Sequence, residues 1–148
     1  NRFDCSGFMQ YIFNHFSYSL NASSASQYLQ GISVKDEEIC RGDLVFFKGR
    51  NSRRSNVGHV GLVTEVYPDG RFKFIHASTS QGIREDWNFS PYYAQRYVGA
   101  RRIYFVQIDK RLILDAILEL EDIDDNTPFT ETEKSITPQE FSTFVRAE

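Results

Sequence analysis

The sequence of 148 residues contains few of the side chains that build metal centres and disulfide frameworks. It has two cysteines, three histidines, one methionine and one tryptophan. Two cysteines allow a single disulfide, between Cys5 and Cys40, and three histidines leave few candidates for acid–base chemistry. No apolar run approaches the length of a membrane span, and no signal peptide, internal repeat or low-complexity tract is visible. The search for chemistry is therefore confined to a small number of side chains.

Charge is modest overall but unevenly distributed, and the formal net charge is −3. Residues 1–108 hold 13 Lys/Arg and 9 Asp/Glu, a net of +4, whereas residues 109–148 hold 4 and 11, a net of −7. A net charge of +4 suits an acidic ligand, although solvated surface charge explains it equally, and it is too weak to indicate nucleic-acid binding. We expect residues 1–108 to form the main domain and residues 109–148 an acidic, partly helical extension.

Apolar and aromatic residues, in contrast, are plentiful. They make up 41 % and 15 % of the chain, enough for a packed core in one domain. The first such run, from Phe8 to Phe16, has helical spacing with one apolar face. Ser6 suits an N-cap or first-turn position, so Cys5 is placed at the N-terminus of this helix. The unsatisfied N–H groups there favour a thiolate over a thiol.

The remaining pattern is mainly that of strands. Strand-like segments occur at residues 43–47, 58–66, 71–77 and 98–108, and Tyr67-Pro68-Asp69-Gly70 joins the second and third as a hairpin. We expect a short helix at 24–29, a charged connection at 32–41, and an ordered loop with one helical turn at 78–97. Further along, we expect a helix at 110–121, a linker at 122–135 and a short helix from 138. A helix followed by strands predicts an α+β domain with a mostly antiparallel sheet.

Two of the three histidines, His59 and His76, fall on the two strands of the predicted hairpin. A nucleophilic cysteine needs a base within hydrogen-bond reach, and that base needs an orienting group. If the Tyr67–Gly70 turn holds four residues, His59 lies opposite Ser78 and shares a face with His76, roughly 7–8 Å apart between backbones. A three-residue turn would separate them unless a bulge corrected the register. We interpret His15, on the polar side of the first helix, as a surface residue.

Four motifs together resemble the NlpC-type cell-wall peptidases, which belong to the papain-like cysteine peptidase superfamily. In order, they are Asp4-Cys5-Ser6-Gly7-Phe8, Gly42-Asp43-Leu44-Val45-Phe46-Phe47, Gly58-His59-Val60-Gly61 and Phe74-Ile75-His76-Ala77-Ser78. The resemblance extends from residue 1 to about residue 104. It implies a papain-like fold, in which the N-terminal catalytic helix packs on the sheet, with the later residues as a helical extension.

The resemblance also implies roles for individual residues. Cys5 would be the nucleophile, His59 the general base and His76 the residue that orients His59, with no metal and no cofactor. Asp4 and Ser6 would help to bind substrate. The implied activity is a cysteine endopeptidase that hydrolyses amide bonds in peptidoglycan stem peptides through a thioester on the cysteine. The bond cut would be the γ-D-glutamyl–diamino acid bond or a crosslink between stems.

The resemblance further implies a bacterial protein of the periplasm or cell exterior, associated with the cell envelope. Because the chain begins at Asn1 rather than Met, we expect a fragment whose export signal lies upstream. The tyrosine and paired glycines that usually precede the cysteine in this family would lie there too.

Other readings use the same residues. Cys5, His59 and His76 are the residue types that bind zinc, although no fourth ligand stands out at suitable spacing. An acyltransferase or amidase acting on another substrate would use the same nucleophile and base. A catalytically silent cell-wall-binding module is a third alternative, against which the intact cysteine and histidines argue. Cys40 either pairs with Cys5 or, as we favour, is buried just before a strand.

Overall fold

A computed structural model describes residues 3–103 together with Leu118. In chain order the elements are α1 (Cys5–Asn14), α2 (Ser24–Gln27), β1 (Ile32–Val34), a 3-10 turn (Asp36–Glu38), β2 (Leu44–Lys48), β3 (Val57–Val66), β4 (Phe72–Ser78), β5 (Gly82–Trp87), α3 (Pro91–Ala94) and β6 (Tyr97–Arg102). In this part of the chain one antiparallel sheet has the order β1-β6-β2-β3-β4-β5. The predicted α+β class with an antiparallel sheet is confirmed. None of the described helices has the length and apolar character needed to span a bilayer.

Helix α1 begins two residues earlier than an N-cap at Ser6 would allow, and Ser6 lies in its first turn. Asp4 is the N-cap, and its Oδ1 accepts a hydrogen bond of 2.7 Å from the backbone N–H of Gly7. Cys5 is therefore the first helical residue. The helix buries its apolar stripe against the sheet, in a helix-side cluster that includes Phe8, Met9, Ile12, Phe13, Leu44, Phe46, Val60, Leu62, Ile75 and Ala77.

The opposite face of the sheet carries a second core, the histidine-side cluster. Its buried members are Val34, Ile39, Val45, Phe47, Val63, Phe72, Phe74 and Ala100, with Tyr93 and Tyr97 packed against them. Tyr93 comes from α3, a single turn that begins with proline at its first position, where the missing N–H has no intrahelical acceptor to lose. Side chains of alternate strand residues thus divide between an aliphatic and aromatic core under α1 and a strongly aromatic core on the far side.

The β3–β4 hairpin reaches the predicted register by a different route. Val66 pairs with Phe72, so the connection is one residue longer than predicted. A bulge between Val63 and Glu65 then shifts the pairing to Val63 with Phe74 and Leu62 with Ile75. Continuing this register places His59 opposite Ser78, as predicted. The bulge therefore compensates for the longer turn.

Other predictions differ from the structure or lie outside the described residues. Residues 32–41 contain β1 and a 3-10 turn rather than a plain connection, and residues 78–97 contain β5 as well as α3. Strand β5 was missed because it is a polar edge strand in which Ile83 alone is fully buried. The last strand, predicted at 98–108, spans Tyr97–Arg102. The predicted helices and linker beyond it lie outside the described residues, apart from Leu118.

Candidate active site

Cys5 lies against the start of β3. Its Sγ is 4.0 Å from the carbonyl oxygen of Gly58, the outer limit for a thiol donor, and the backbone of Val60 also hydrogen-bonds to it. These two backbone groups flank His59 in the chain. Cys5 therefore touches the short stretch of strand that carries the predicted base.

The start of β3 lies beside β2 in the sheet. Pairing between β3 and β4 is recorded from Val66 with Phe72 down to Leu62 with Ile75, whereas the start of β3 pairs with β2. Helix α1 approaches from the face of the helix-side cluster, and the two imidazoles project from the opposite face. The thiol and the histidines thus approach the start of β3 from different sides of the sheet.

Burial sets the protonation state of the thiol. It raises the pKa of Cys5 and outweighs the backbone hydrogen bond from Val60, which lowers this pKa, and the nearby Asp4 carboxylate adds a smaller increase. The resting form is a neutral thiol at pH 7. The thiolate predicted from the helix N-terminus is wrong for the substrate-free protein, because desolvation outweighs the stabilisation offered by the first helical turn.

The two histidines form a direct hydrogen bond. His59 Nε2 is 2.8 Å from His76 Nδ1, and the two rings are perpendicular with centroids 4.9 Å apart. His76 is completely buried, with the rings of Phe74 and Tyr93 centred 4.8 and 5.3 Å away. Phe47 and Tyr93 lie beside His59 at 6.1 and 6.2 Å. The two side chains share a face, as the predicted register requires.

Gly61 makes this contact possible. It lies two residues after His59 on β3, and a Cβ at this position would be 2.7 Å from the Phe74 ring and 3.3 Å from His76 Cβ. The absent side chain lets the β4 residues lie directly against β3. Close packing of β4 against β3 therefore explains the glycine at the end of the Gly58-His59-Val60-Gly61 motif.

Both imidazoles are neutral at pH 7. Burial lowers the pKa of His59 to about 3, and the neighbouring His76 lowers it further. Burial also lowers the pKa of His76, although its hydrogen bond to Asp86 and the charge of that carboxylate oppose the shift. A neutral imidazole has one N–H and one lone pair, so each ring has one donor and one acceptor nitrogen.

Two residues that the sequence interpretation missed complete this arrangement. Asp86 Oδ2 is 2.7 Å from His76 Nε2, and Arg84 Nη2 donates to Asp86 Oδ1 at 2.9 Å. Both lie on β5, the strand that was predicted as a loop. The alternation of Arg84 and Asp86 around Glu85, which faces the other side of the sheet, is the available signal, and it has meaning only once the segment is known to be a strand.

The two residues proposed for substrate binding are placed differently. Asp4 is exposed, although its Oδ1 is used by the helix cap. Ser6 is only 5 % exposed, and its Oγ lies 3.4 Å from the same Asp4 oxygen. Ser6 is therefore in position to hold Asp4 rather than to touch a ligand.

A cleft with a volume of about 460 Å³ opens beside His59. Its lining residues are Lys48, Gly49, Arg50, Gly58, His59, Ser78, Thr79, Ser80, Gln81, Arg84, Asp86, Tyr92 and Tyr93. The lining thus contributes three cationic side chains and one carboxylate, which favours a ligand with negative charge. Residues 79–81 form the turn that connects β4 to β5.

The same geometry bears on two alternatives, a Cys5–Cys40 disulfide and a zinc site. Cys5 and Cys40 are both free thiols, and Cys40 is exposed, so its predicted burial is wrong. Both ring nitrogens of His76 are occupied by hydrogen bonds, which leaves no lone pair for zinc. Within residues 3–103 no group of three or more His, Cys, Asp or Glu is arranged to hold a metal. His15 is half-buried at the end of α1, with Nδ1 2.9 Å from the Tyr11 carbonyl.

Comparison with known proteins gives a consistent result. The profile of the NlpC/P60 family matches residues 1–102, so the chain belongs to that family. It is 38 % identical over 101 residues to the murein DD-endopeptidase MepS/murein LD-carboxypeptidase of Escherichia coli K12, covering 68 % of this chain and 49 % of that protein. It is 35 % identical over 102 residues to the gamma-DL-glutamyl hydrolase of Bacillus subtilis, covering 68 % and 24 %.

Solved structures resemble the fold as well. An NlpC/P60 family protein from Bacillus cereus superposes with a TM-score of 0.58 at 29 % identity, covering 68 % of this chain and 31 % of that one. The P60 domain of an antigen from M. avium subspecies paratuberculosis gives 0.53 at 26 % identity, covering 70 % and 68 %. This chain spans about half the length of the curated murein endopeptidase and a smaller share of the hydrolase.

Proposed function

We propose that the protein is a cysteine endopeptidase that hydrolyses amide bonds in peptidoglycan stem peptides. One observation carries the proposal: Cys5 at the first position of α1 touches the strand segment of His59, whose Nε2 is 2.8 Å from His76. Nucleophile, base and orienting group in this order are the parts that acyl transfer needs. Membership of the NlpC/P60 family, with relatives named for murein and glutamyl hydrolysis, supports the substrate class.

In the proposed mechanism Cys5 and His59 begin as neutral thiol and neutral imidazole. As Sγ attacks the amide carbonyl, the thiol proton passes to His59, and a backbone N–H near Cys5 stabilises the oxyanion. His59 then gives the proton to the departing amine as the C–N bond breaks, which leaves the acyl group as a thioester. A water molecule attacks the thioester, His59 takes its proton, and the thiol is restored. His76 holds the His59 ring throughout.

The cleft beside His59 supports an acidic peptide as substrate. Because His59 protonates the departing amine, the residue that bears this amine must lie on the His59 side of the site. Lys48, Arg50 and Arg84 line the cleft there. Carboxylates on the stem peptide would meet these cations, and Asp4, exposed on the Cys5 side, would meet a free amino group. We propose Asp4 as a direct substrate contact and Ser6 as its support.

The domain organisation and location follow from the same assignment. We infer that residues 1–108 form the catalytic domain in a papain-like arrangement, with α1 as the catalytic helix, because the family profile ends at residue 102. Residues 109–148, with a net charge of −7, would be an accessory extension. Action on murein would place the protein in the periplasm or outside the cell, bound to the envelope.

The test is digestion of purified muropeptides by the full chain, with products identified by mass spectrometry. Cleavage at the γ-D-glutamyl–diamino acid bond and cleavage at a stem crosslink give fragments of different mass. Addition of an amine acceptor separates hydrolysis from acyl transfer, since a transferase would form a new amide in place of the free acid. Muropeptides that bind but remain intact would identify a silent wall-binding module and overturn the proposal.

A further inference from the structure

The strand β5 brings a carboxylate to the buried end of the histidine pair. In its register with β4, Arg84 is opposite His76 and Asp86 is opposite Phe74. Because alternate residues share a face, both side chains project to the side of the sheet that carries His59 and His76. Asp86 accepts from His76 at 2.7 Å through Oδ2 and from Arg84 at 2.9 Å through Oδ1. Each of its oxygens therefore has a different donor.

This chain of hydrogen bonds has one direction. A carboxylate can only accept, so His76 must carry its proton on Nε2 to donate to Asp86. A neutral His76 then has its lone pair on Nδ1, which lies 2.8 Å from His59 Nε2. That contact requires the proton of His59 to be on Nε2. The remaining nitrogen of His59, Nδ1, is left with its lone pair, and this is the lone pair that a base needs.

We propose that Asp86 is a positioning residue that fixes the tautomer of His76 and, through it, the tautomer of His59, with Arg84 orienting the carboxylate. The inference rests on the proposed function for its kinetic consequence, although the tautomers themselves can be measured without any substrate. His76 alone orients the ring of His59 but leaves open which nitrogen carries the proton. Asp86 decides this because its carboxylate has no hydrogen to donate.

Asp86→Asn is the decisive variant, because Arg84 determines how the new amide would turn. Guanidinium is only a donor, so the amide oxygen would face Arg84 and the NH₂ would face His76. His76 would then accept at Nε2, carry its proton on Nδ1 and donate to His59 Nε2. His59 would hold its proton on Nδ1, where the lone pair is needed. We expect kcat to fall on the order of 10²-fold or more, with KM within about threefold.

Two variants serve as controls. Glu85→Gln removes the same charge from the neighbouring residue, whose Oε2 accepts from Thr64 on the other side of β5, and should keep kcat within about twofold. Arg84→Met removes the donor that holds the amide oxygen, so an amide introduced at position 86 can turn its oxygen towards His76. The loss in kcat caused by Asp86→Asn is measured twice, once in the native protein and once in the Arg84→Met variant. We expect the loss in the Arg84→Met variant to be at least about tenfold smaller.

The readout that separates positioning from folding is the ¹⁵N NMR spectrum of the imidazoles. The full chain labelled at histidine gives signals from three residues only, and His15→Gln assigns one of them. We expect protonated Nε2 on both His59 and His76 in the native protein and protonated Nδ1 on both in Asp86→Asn. An Asp86→Asn protein with unchanged tautomers would overturn the proposal whatever its kcat, and so would full activity. If the native protein cleaves no muropeptide, the proposed function fails, while the tautomer measurement still decides the role of Asp86.

Discussion

The two faces of the sheet bury different kinds of side chain. Under α1, the helix-side cluster includes Phe8, Ile12 and Phe13, which have no exposed surface. On the other face, His59 and His76 stand among the aromatic rings of the histidine-side cluster, beside an open cleft. In the proposed function, one face therefore contributes mainly stability and the other contributes the base. Burial among aromatic rings also keeps His59 neutral, and it lowers the free energy of unfolding when the pH falls.

The largest effect should come from the proposed nucleophile, Cys5, which packs against the helix-side cluster. Cys5→Ala should lower turnover on the order of 10³-fold or more, because a member of a catalytic unit carries most of its effect. Muropeptide digestion measures the loss, and circular dichroism checks the fold. Cys40→Ala is the matched control, since Cys40 is exposed and free, and it should retain normal activity. Full turnover by Cys5→Ala would end the enzyme interpretation.

Within the histidine face the two imidazoles should differ in importance. His59→Ala should abolish activity, because it removes the base, whereas His76→Asn should retain a measurable fraction, because an amide oxygen can still accept from His59 Nε2. Single-turnover rates of both variants, compared with His15→Asn as a distant control, test this order. Equal losses for both substitutions would show that His76 does more than hold the ring.

Acid should destabilise the protein through the histidine face. His59 has a folded-state pKa of about 3, lowered by burial from 6.5, so the unfolded chain binds more protons between these two values. Stability from this group is complete above pH 6.5 and is lost as the pH falls towards 3. Between pH 7 and pH 4.5 the loss should be about 2–3 kcal/mol. Urea titrations of the native protein and His59→Asn measure it, and identical pH dependence in both would refute the shift.

The cysteine part of the site can be predicted from the sequence more fully than the histidine part. Apolar spacing places Cys5 at the N-terminus of the first helix, as observed, whereas the N-cap is Asp4 and Ser6 lies in the first turn. The pairing of His59 with His76 depends on the hairpin register, and the correct register arose from a longer turn and a bulge that cancelled each other. Asp86 could not be predicted, because β5 is a polar edge strand stabilised by its pairing to β4 rather than by its own pattern. The thiol pKa also depends on packing, which spacing does not reveal.

The smallest predicted effect comes from a matched pair of phenylalanines, one on each face of the sheet. Phe13 and Phe47 are both fully buried, with 0 % and 1 % exposure, but only Phe47 has its ring near the base, 6.1 Å from His59. Phe13→Leu and Phe47→Leu should each cost about 1–2 kcal/mol of unfolding free energy, since similar volumes are removed from well-packed cores.

Turnover should separate the two variants. Phe13→Leu should keep kcat per folded molecule, because the helix-side cluster only supports α1, whereas Phe47→Leu should lower it about three- to tenfold, because the His59 ring loses a wall that fixes its angle. Urea unfolding and kcat at one temperature provide both numbers. If Phe13→Leu lost as much turnover as Phe47→Leu at equal stability, then α1 would position Cys5 so finely that the helix-side cluster belongs to the catalytic machinery too, and the division between the two faces would fail.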